Sequence, residues 1–347
     1  MDCATHSTRE RAAGEKDMSE PILRVEGLRT HFRVRNGLLK AVEDVSFSVE
    51  PGKVLCIVGE SGSGKSVTAL SILGLIDPPG KIDAGRVYYR DRDLLTLPDA
   101  EMTRSIRGDR IGMIFQDPMT SLNPAFTIGD QIAEGILEHQ AVTREQATVR
   151  TIELLRLVGI PHAEERRHDY PHHFSGGMRQ RVLIAAAIAT EPDVLIADEP
   201  TTALDVTIQA QILRLLSDIQ KRLNSAMILI THDLGVVAAM ADDVMVMYAG
   251  RVVEYTDVKT LFREPKHPYT LGLLDSVIEL DESRDVPLRS IPGLPPVPVN
   301  MPPGCSFKPR CSRAQELCAE RLPALREAGI GHSVACHLFD EKPGSGS

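Results

Sequence analysis

The chain has 347 residues, 42% of them hydrophobic and 4% aromatic, and a formal charge of 39 − 48 = −9. That length holds one large domain or two with ample sequence for a core, while the acidic balance and the lack of a Lys/Arg block exclude nucleic acid as the main partner, since tracking a phosphate backbone needs a basic face. The longest unbroken apolar run, Val182–Ala189, is eight residues, against the roughly 20 that span a bilayer; with no signal-peptide layout either, the chain is expected to be soluble and not exported, so that any membrane role is peripheral.

Residues 1–19 are polar and aperiodic and read as a disordered tail, with Met18 an alternative start. Val54–Val58 is a continuous apolar run of strand length, which suits a strand buried on both faces of a parallel sheet. Gly59-Glu60-Ser61-Gly62-Ser63-Gly64-Lys65-Ser66 follows it directly. This fits G-x-x-x-x-G-K-[ST], a loop whose backbone N–H groups wrap nucleotide phosphates. Lys65 is placed to reach the β- and γ-phosphates, the Ser66 hydroxyl to ligate Mg²⁺, and the N–H groups of Ser66 and Val67 to face the phosphates from a helix N-terminus.

A second apolar run, Ile111–Phe115, ends at Gln116, an uncharged group able to ligate Mg²⁺ or an attacking water. Residues 117–190 carry apolar positions at three- and four-residue spacing, in Ile132–Leu137 and Val149–Val158, with breaks at Pro118, Pro124, Pro161 and Pro171. They predict an inserted helical subdomain. Within it, Ser175-Gly176-Gly177 opens an apolar helix: the serine is a good N-cap, and the glycines let backbone N–H groups approach a phosphate. Because the first glycine loop already serves the phosphates of its own chain, this second anion-binding helix end implies a second ATP. A head-to-tail pair of subunits, each closing over the other's nucleotide, is the economical arrangement.

A third run, Val194–Ala197, ends at Asp198-Glu199, and a fourth, Met227–Ile230, ends at Thr231-His232. Open α/β sheets bind ligands just beyond the carboxyl ends of their strands. A phosphate loop, a glutamine, two carboxylates and a histidine at four such ends describe one phosphate-transfer site. Asp198 is the expected Mg²⁺ partner, Glu199 the base that takes a proton from or polarises the attacking water, and His232 the γ-phosphate contact that holds that water's geometry. Past residue 265 the character changes. Seven prolines in residues 287–303 rule out a helix or internal strand there and predict a stiff connector. Cys3 falls in the tail and Cys56 inside the first apolar run, as a buried thiol. Cys305, Cys311, Cys318 and Cys336 cluster with gaps of five, six and seventeen residues. Thiols this close in a non-exported chain favour a metal over disulfides. Zinc and an iron–sulfur cluster both suit four thiolates. The lack of a C-x₂₋₄-C pair tilts the choice toward iron–sulfur, and unligated packing is the remaining alternative.

The order and spacing of these motifs over roughly residues 20–260 resemble the nucleotide-binding subunits of ABC transporters. In that family's terms residues 59–66 are similar to the Walker A motif, 194–199 to Walker B with its catalytic acid, Gln116 to the Q-loop glutamine, and Phe174–Met178 to the signature motif. Thr202-Ala203-Leu204-Asp205 is similar to the D-loop, which adds Asp205 to the nucleotide-binding set, and His232 to the switch histidine. The signature departs from Leu-Ser-Gly-Gly-Gln at Phe174 and Met178 but keeps Ser-Gly-Gly. Phe32, placed before the first core strand, is the candidate for stacking on adenine, with core packing as its other role.

Phe115–Pro124, His267-Pro268-Tyr269-Thr270 and Gly304–Cys311 are similar to the oligopeptide/dipeptide importers, with nickel, opine and glutathione importers sharing parts of the pattern. The resemblance implies an α/β P-loop ATPase core with a mostly parallel sheet over residues 20–265, a helical subdomain over about 117–190, and a Pro/Cys-rich extension over 266–340. It implies ATP and Mg²⁺ as ligands, and a [4Fe–4S] cluster on the four cysteines. The implied partners are a second ATPase subunit, two transmembrane permease subunits and an extracytoplasmic binding protein, with this chain peripheral on the cytoplasmic face of the membrane.

Overall fold

A computed structural model describes residues 20–202, 204–276 and 291–340. The expected N-terminal tail, Ala203, the start of the proline-rich stretch and the closing Gly-Ser repeat lie outside the described residues.

Two long strands, β1 (Leu23–Val34) and β2 (Gly37–Val49), open the fold as an antiparallel hairpin. β3 (Val54–Val58) runs through the phosphate loop into α1 (Lys65–Ile72). β4 (Gly80–Tyr89) returns to β1, and the short β5 (Arg92–Asp93) pairs with β4, giving a four-stranded sheet of order β2-β1-β4-β5. α2 (Asp99–Ser105) precedes β6 (Ile111–Ile114). The chain then stays helical through α3 (Pro118–Ser121), α4 (Ile128–His139), α5 (Arg144–Leu157), α6 (Ala163–Arg166) and α7 (Gly176–Ala187). Threonine caps start two of these helices: Thr127 accepts from Asp130 N, and Thr143 forms a reciprocal capping box with Gln146, satisfying donors that a helix end leaves open.

β7 (Val194–Asp198), α8 (Val206–Leu223), β8 (Ala226–Thr231), α9 (Leu234–Met240), β9 (Asp243–Tyr248) and β10 (Arg251–Asp257) complete the core. α10 (Val258–Arg263) and α11 (Pro268–Asp275) follow. Beyond residue 290 come α12 (Leu317–Glu320) and the hairpin β11 (Arg326–Gly329) and β12 (His332–Val334).

The second sheet has eight strands in the order β11-β12-β10-β9-β3-β8-β7-β6. β9, β3, β8, β7 and β6 pair in parallel, and β10, β12 and β11 extend one edge antiparallel. Every residue of β3, β7 and β8 is buried, the state that an unbroken apolar run predicts. Alternation sends their side chains to opposite faces. Leu55, Ile57, Ile196, Ile228 and Ile230 pack toward β1, β2 and β4, whereas Cys56, Val58, Leu195, Ala197 and Leu229 pack toward the helices of residues 128–219. Cys56 is a fully buried free thiol, as expected.

The four anticipated strands form with shifts of one residue at some ends. The antiparallel sheet was not anticipated, although β1 begins with strict buried/exposed alternation from Leu23 to Glu26, the period-2 signal of a half-buried strand. β9 was also missed, despite the apolar run Val244–Tyr248. Phe32, which precedes the first core strand β3, lies within β1, half-buried, opposite Leu39 and Gly80, where its ring occupies the space a side chain at Gly80 would need.

Candidate active site

α1 starts at Lys65, with Gly64 as its N-cap at φ 104°. A Cβ at Gly64 would lie 2.3 Å from Ala41 O, and one at Gly59 2.3 Å from Met247 O. Both positions therefore exclude any side chain, because neighbouring backbone closes on them. The loop so shaped folds inward. Lys65 is 5% exposed and its Nζ donates to the carbonyls of Gly59, at 2.8 Å, and Glu60, at 3.1 Å. Burial holds its ammonium below the ordinary value, against the pull of Glu199, Asp198 and Glu60. Such a cation gains from an incoming anion. Ser63 Oγ is buried and has no hydrogen-bond partner among the described residues, whereas Ser61 and Gly62 face solvent. The first-turn N–H groups of α1, those of Ser66 and Val67 among them, have no acceptor within the helix. An orphaned hydroxyl, open N–H groups and a buried ammonium form an anion cradle.

Ser66 Oγ donates to Asp198 Oδ1 at 3.0 Å, so the two expected Mg²⁺ ligands meet across the α1–β7 boundary. Asp198 is 4% exposed. Burial pushes its carboxyl up and the Glu199 charge adds to this, with the Ser66 hydrogen bond and Lys65 opposing. A buried acid beside a second acid is a costly arrangement without a cation, and the donor set of hydroxyl and carboxylate oxygens suits Mg²⁺, a hard ion.

One residue on, Glu199 leaves the strand in a left-handed conformation, φ 45°, which non-glycine residues adopt uncommonly. Glu199 Oε2 accepts from Thr202 Oγ1 at 2.8 Å and from Gln116 Nε2 at 3.2 Å, and His232 Nδ1 lies 3.5 Å from it. Gln116, at the end of β6, and His232, past the end of β8, are thus brought to the same carboxylate from positions 83 and 33 residues away in sequence. His232 remains largely solvent-facing, its side chain 63% exposed, so packing does not account for its position. Thr202 is a contact that the sequence reading left without a role.

Ser175 caps α7, its Oγ accepting from Met178 N at 3.4 Å. Gly176 faces Leu204, just before α8, and Gly177 faces Ile208 in its first turn, where a Cβ at Gly177 would fall 2.7 Å from Ile208. Asp205 caps α8, accepting from Ile208 N at 3.0 Å. Among the described residues no hydrogen bond or ion pair joins Ser175–Gly177 or Asp205 to residues 59–66.

The C-terminal residues reach the phosphate loop directly, which no local sequence signal announced. Arg310 forms a bidentate ion pair with Glu60, at 2.6 and 2.9 Å, and Tyr269 Oη accepts from Glu60 N at 2.8 Å. Cys305, Cys311, Cys318 and Cys336 are free thiols. Cys305 N donates to Cys318 O at 2.8 Å, and Gln315 N lies 3.5 Å from Cys318 Sγ. Burial pushes the Cys336 thiol up to about 11, with smaller contributions from Cys305, Cys311 and Cys318. Thus the four thiols share one neighbourhood and suit a thiophilic metal chemically. Among the described residues, however, no group of three or more His, Cys, Asp or Glu is arranged to hold a metal ion.

The chain matches the family model described as "ABC transporter" over residues 42–202 and "Oligopeptide/dipeptide transporter, C-terminal region" over residues 253–318. It is 50% identical to the dipeptide transport ATP-binding protein DppD of Bacillus subtilis, over 93% of this chain and 96% of that one. It is 48% identical to the oligopeptide transport ATP-binding protein AppD of the same organism, over 92% and 98%. Among solved structures it is similar to the dimeric bacterial ABC transporter cassette MJ0796, with a TM-score of 0.61 and 28% identity over 68% of this chain and 98% of that one.

Proposed function

Because the chain belongs to the ABC transporter family, among the ATP-binding subunits of its oligopeptide and dipeptide importers, we propose that it drives uptake of di- or oligopeptides through two membrane-embedded permease subunits. ATP binding and hydrolysis are its activity. The carrying observation for the site is the convergence of Gln116, Thr202 and His232 on the Glu199 carboxylate, one residue beyond the Ser66–Asp198 pair.

In this reading Gly59–Ser66 and Val67 N–H enclose the β- and γ-phosphates, and Lys65, aimed by the carbonyls of Gly59 and Glu60, turns its remaining donor to the phosphate oxygens. Ser66 and Asp198, with Gln116, hold Mg²⁺, which neutralises phosphate charge. Glu199 accepts the proton of the attacking water, and Gln116 and His232 fix that water and the γ-phosphate relative to it. Catalysis here is positioning and charge stabilisation more than covalent chemistry. Ser175, Gly176 and Gly177, with Asp205, complete the site of a second ATPase subunit, so hydrolysis belongs to a head-to-tail pair. Phe32, on β1, is proposed as the residue that stacks on adenine.

No helix among the described residues is long and apolar enough to cross a membrane, which suits a peripheral subunit at the cytoplasmic face. Peptides as cargo rest on the relatives and on the C-terminal family match; nickel, glutathione and opines are the alternatives. An extracytoplasmic binding protein delivers the solute in this family's importers. Transport by the purified complex in proteoliposomes decides among them: uptake of dipeptides that competes with oligopeptides supports the reading, and uptake of Ni²⁺ or glutathione without peptides overturns it. The four C-terminal thiols are proposed to hold a [4Fe–4S] cluster, with zinc as the alternative. Their shared neighbourhood and their all-sulfur chemistry support this, and no step of ATP hydrolysis runs through it.

A further inference from the structure

A carboxylate inside a phosphate-binding loop is an electrostatic liability, and Glu60 is one. It carries the same sign as the ligand that the loop exists to hold. Each of its polar groups is engaged. Its carbonyl accepts from Lys65 Nζ at 3.1 Å. Its N–H donates to Tyr269 Oη at 2.8 Å. Its carboxylate is gripped by both terminal nitrogens of Arg310. Two of these three partners come from the region beyond residue 265, and Arg310 pairs across 250 positions of sequence.

Arg310 is itself held rigidly. Its side chain is 5% exposed, Nε donates to Pro292 O at 2.9 Å, and Nη1 lies 3.4 Å from Tyr248 Oη. Its guanidinium sits 5.9 Å above the Tyr248 ring and 6.0 Å from that of Phe307. Tyr248, Tyr269 and Phe307 pack against one another with centroids 4.6 to 5.4 Å apart. A planar fork locked by stacking and carbonyl contacts loses little freedom in binding a carboxylate. We propose that Arg310 and Tyr269 are positioning residues for the ATP site: Arg310 cancels the Glu60 charge at the phosphate loop, and Arg310 and Tyr269 together hold the Glu60 carbonyl where it aims Lys65.

This rests on the ATPase activity and not on the choice of cargo. The C-terminal region is then part of the nucleotide site's scaffold rather than an appendage to it. Without Arg310, the Glu60 charge would stand uncompensated within the phosphate loop, and its repulsion of an incoming anion falls on nucleotide binding. An Arg310 that served only to anchor the C-terminal residues would instead leave nucleotide affinity untouched in any variant that stays folded.

The test uses the full chain, with Kd for MgADP by equilibrium binding and KM and kcat for MgATP in the assembled transporter. Lys65→Ala, expected to lose nucleotide affinity, is the control that the loop binds phosphate at all; if it binds normally, the ATP-site assignment fails, independently of Arg310. Arg310→Gln should raise KM and Kd about tenfold, the scale of coupling between contacting charged groups, with kcat changed less than about twofold. Adding Glu60→Gln to Arg310→Gln removes the unpaired carboxylate and should restore most of the lost affinity. Wild-type affinity in Arg310→Gln, or a double variant no better than the single, overturns the proposal. Should Arg310→Gln fail to fold, Tyr269→Phe deletes one hydroxyl and leaves the packing. A KM raised severalfold there supports the positioning role, and an unchanged KM overturns it.

Discussion

Glu199 combines a left-handed backbone, φ 45°, with three polar neighbours on one carboxylate. Strain of that kind persists where surrounding structure over-determines it, and the hydrogen bond from Glu199 N to Ile230 O at 3.0 Å helps to do so. Glu199→Gln keeps the shape and the acceptor oxygen but not the proton affinity. Hydrolysis should fall by roughly two to four orders of magnitude, the scale of a lost general base, while ATP binding persists and locks the closed pair of subunits. Single-turnover hydrolysis near the wild-type rate would remove Glu199 from that role. Asp198 carries a different prediction. Its folded-state pKa is raised by burial, so the folded chain keeps this proton to higher pH than the unfolded chain does. The sign follows from linkage: stability is lost as pH rises from the ordinary carboxyl range through the raised value. Asp198→Asn removes that loss, and its Tm at about pH 7 should exceed wild type by roughly 1–3 °C, with the gap closing in acid. The same variant should lose the extra stabilisation that Mg²⁺ adds to bound ATP. A lower Tm across the whole pH range would show that the Ser66 contact outweighs the buried charge.

At the scale of elements, α7 is the informative one. Its Ser175 cap and the two glycines behind it have the chemistry proposed to meet a phosphate, yet they pack on Leu204 and Ile208 of their own chain and not on its phosphate loop. β7 and β8 deliver Glu199 and His232 at adjacent strand ends, because the strands pair in parallel register from Val194 opposite Ala226 to Asp198 opposite Ile230. In the proposed function the chain thus assembles one half of a site internally and offers the other half to a second subunit. The isolated chain should hydrolyse ATP slowly and with a rate per molecule that rises with concentration or with added partner ATPase and permeases. Full activity in a monomer at high dilution would refute the composite site.

For the whole molecule, the eight-stranded sheet joins regions that the sequence suggested were separate in character. β12 pairs with β10, and Glu254 on β10 is fully buried, accepting from Lys266 N and His267 N with His332 Nε2 2.7 Å away. The cysteine-bearing residues are therefore tied to the core through both this buried cluster and the Arg310–Glu60 pair. Protein purified anaerobically should be brown, with broad absorbance near about 400 nm that is lost when any one of Cys305, Cys311, Cys318 and Cys336 is changed to Ser. Stoichiometric zinc in a colourless preparation would move the site to zinc, and a metal-free protein with full ATPase activity would leave four packed thiols.

Chemistry carried by short, contiguous segments was legible without coordinates. The phosphate loop, the Asp198-Glu199 pair after an apolar strand and the Ser175 helix start each depend on residues whose spacing along the chain sets their spacing in space. Unbroken apolar runs announced β3, β6, β7 and β8 for the same reason, since a strand buried on both faces tolerates no polar alternation. The start of β1 carries the complementary signal, buried and exposed residues in turn from Leu23 to Glu26. Partnership was what the tertiary structure alone decided. Gln116 and His232 meet on Glu199 only because parallel register aligns the ends of β6, β7 and β8, whereas Thr202 reaches the same carboxylate from three residues away. Arg310 reaches Glu60 across 250 positions. No periodicity encodes such a contact, because it is selected by the packing of Tyr248, Tyr269 and Phe307 beneath it. Local backbone chemistry is written in neighbouring residues, whereas the pairing of distant charges is settled by which surfaces the core brings together.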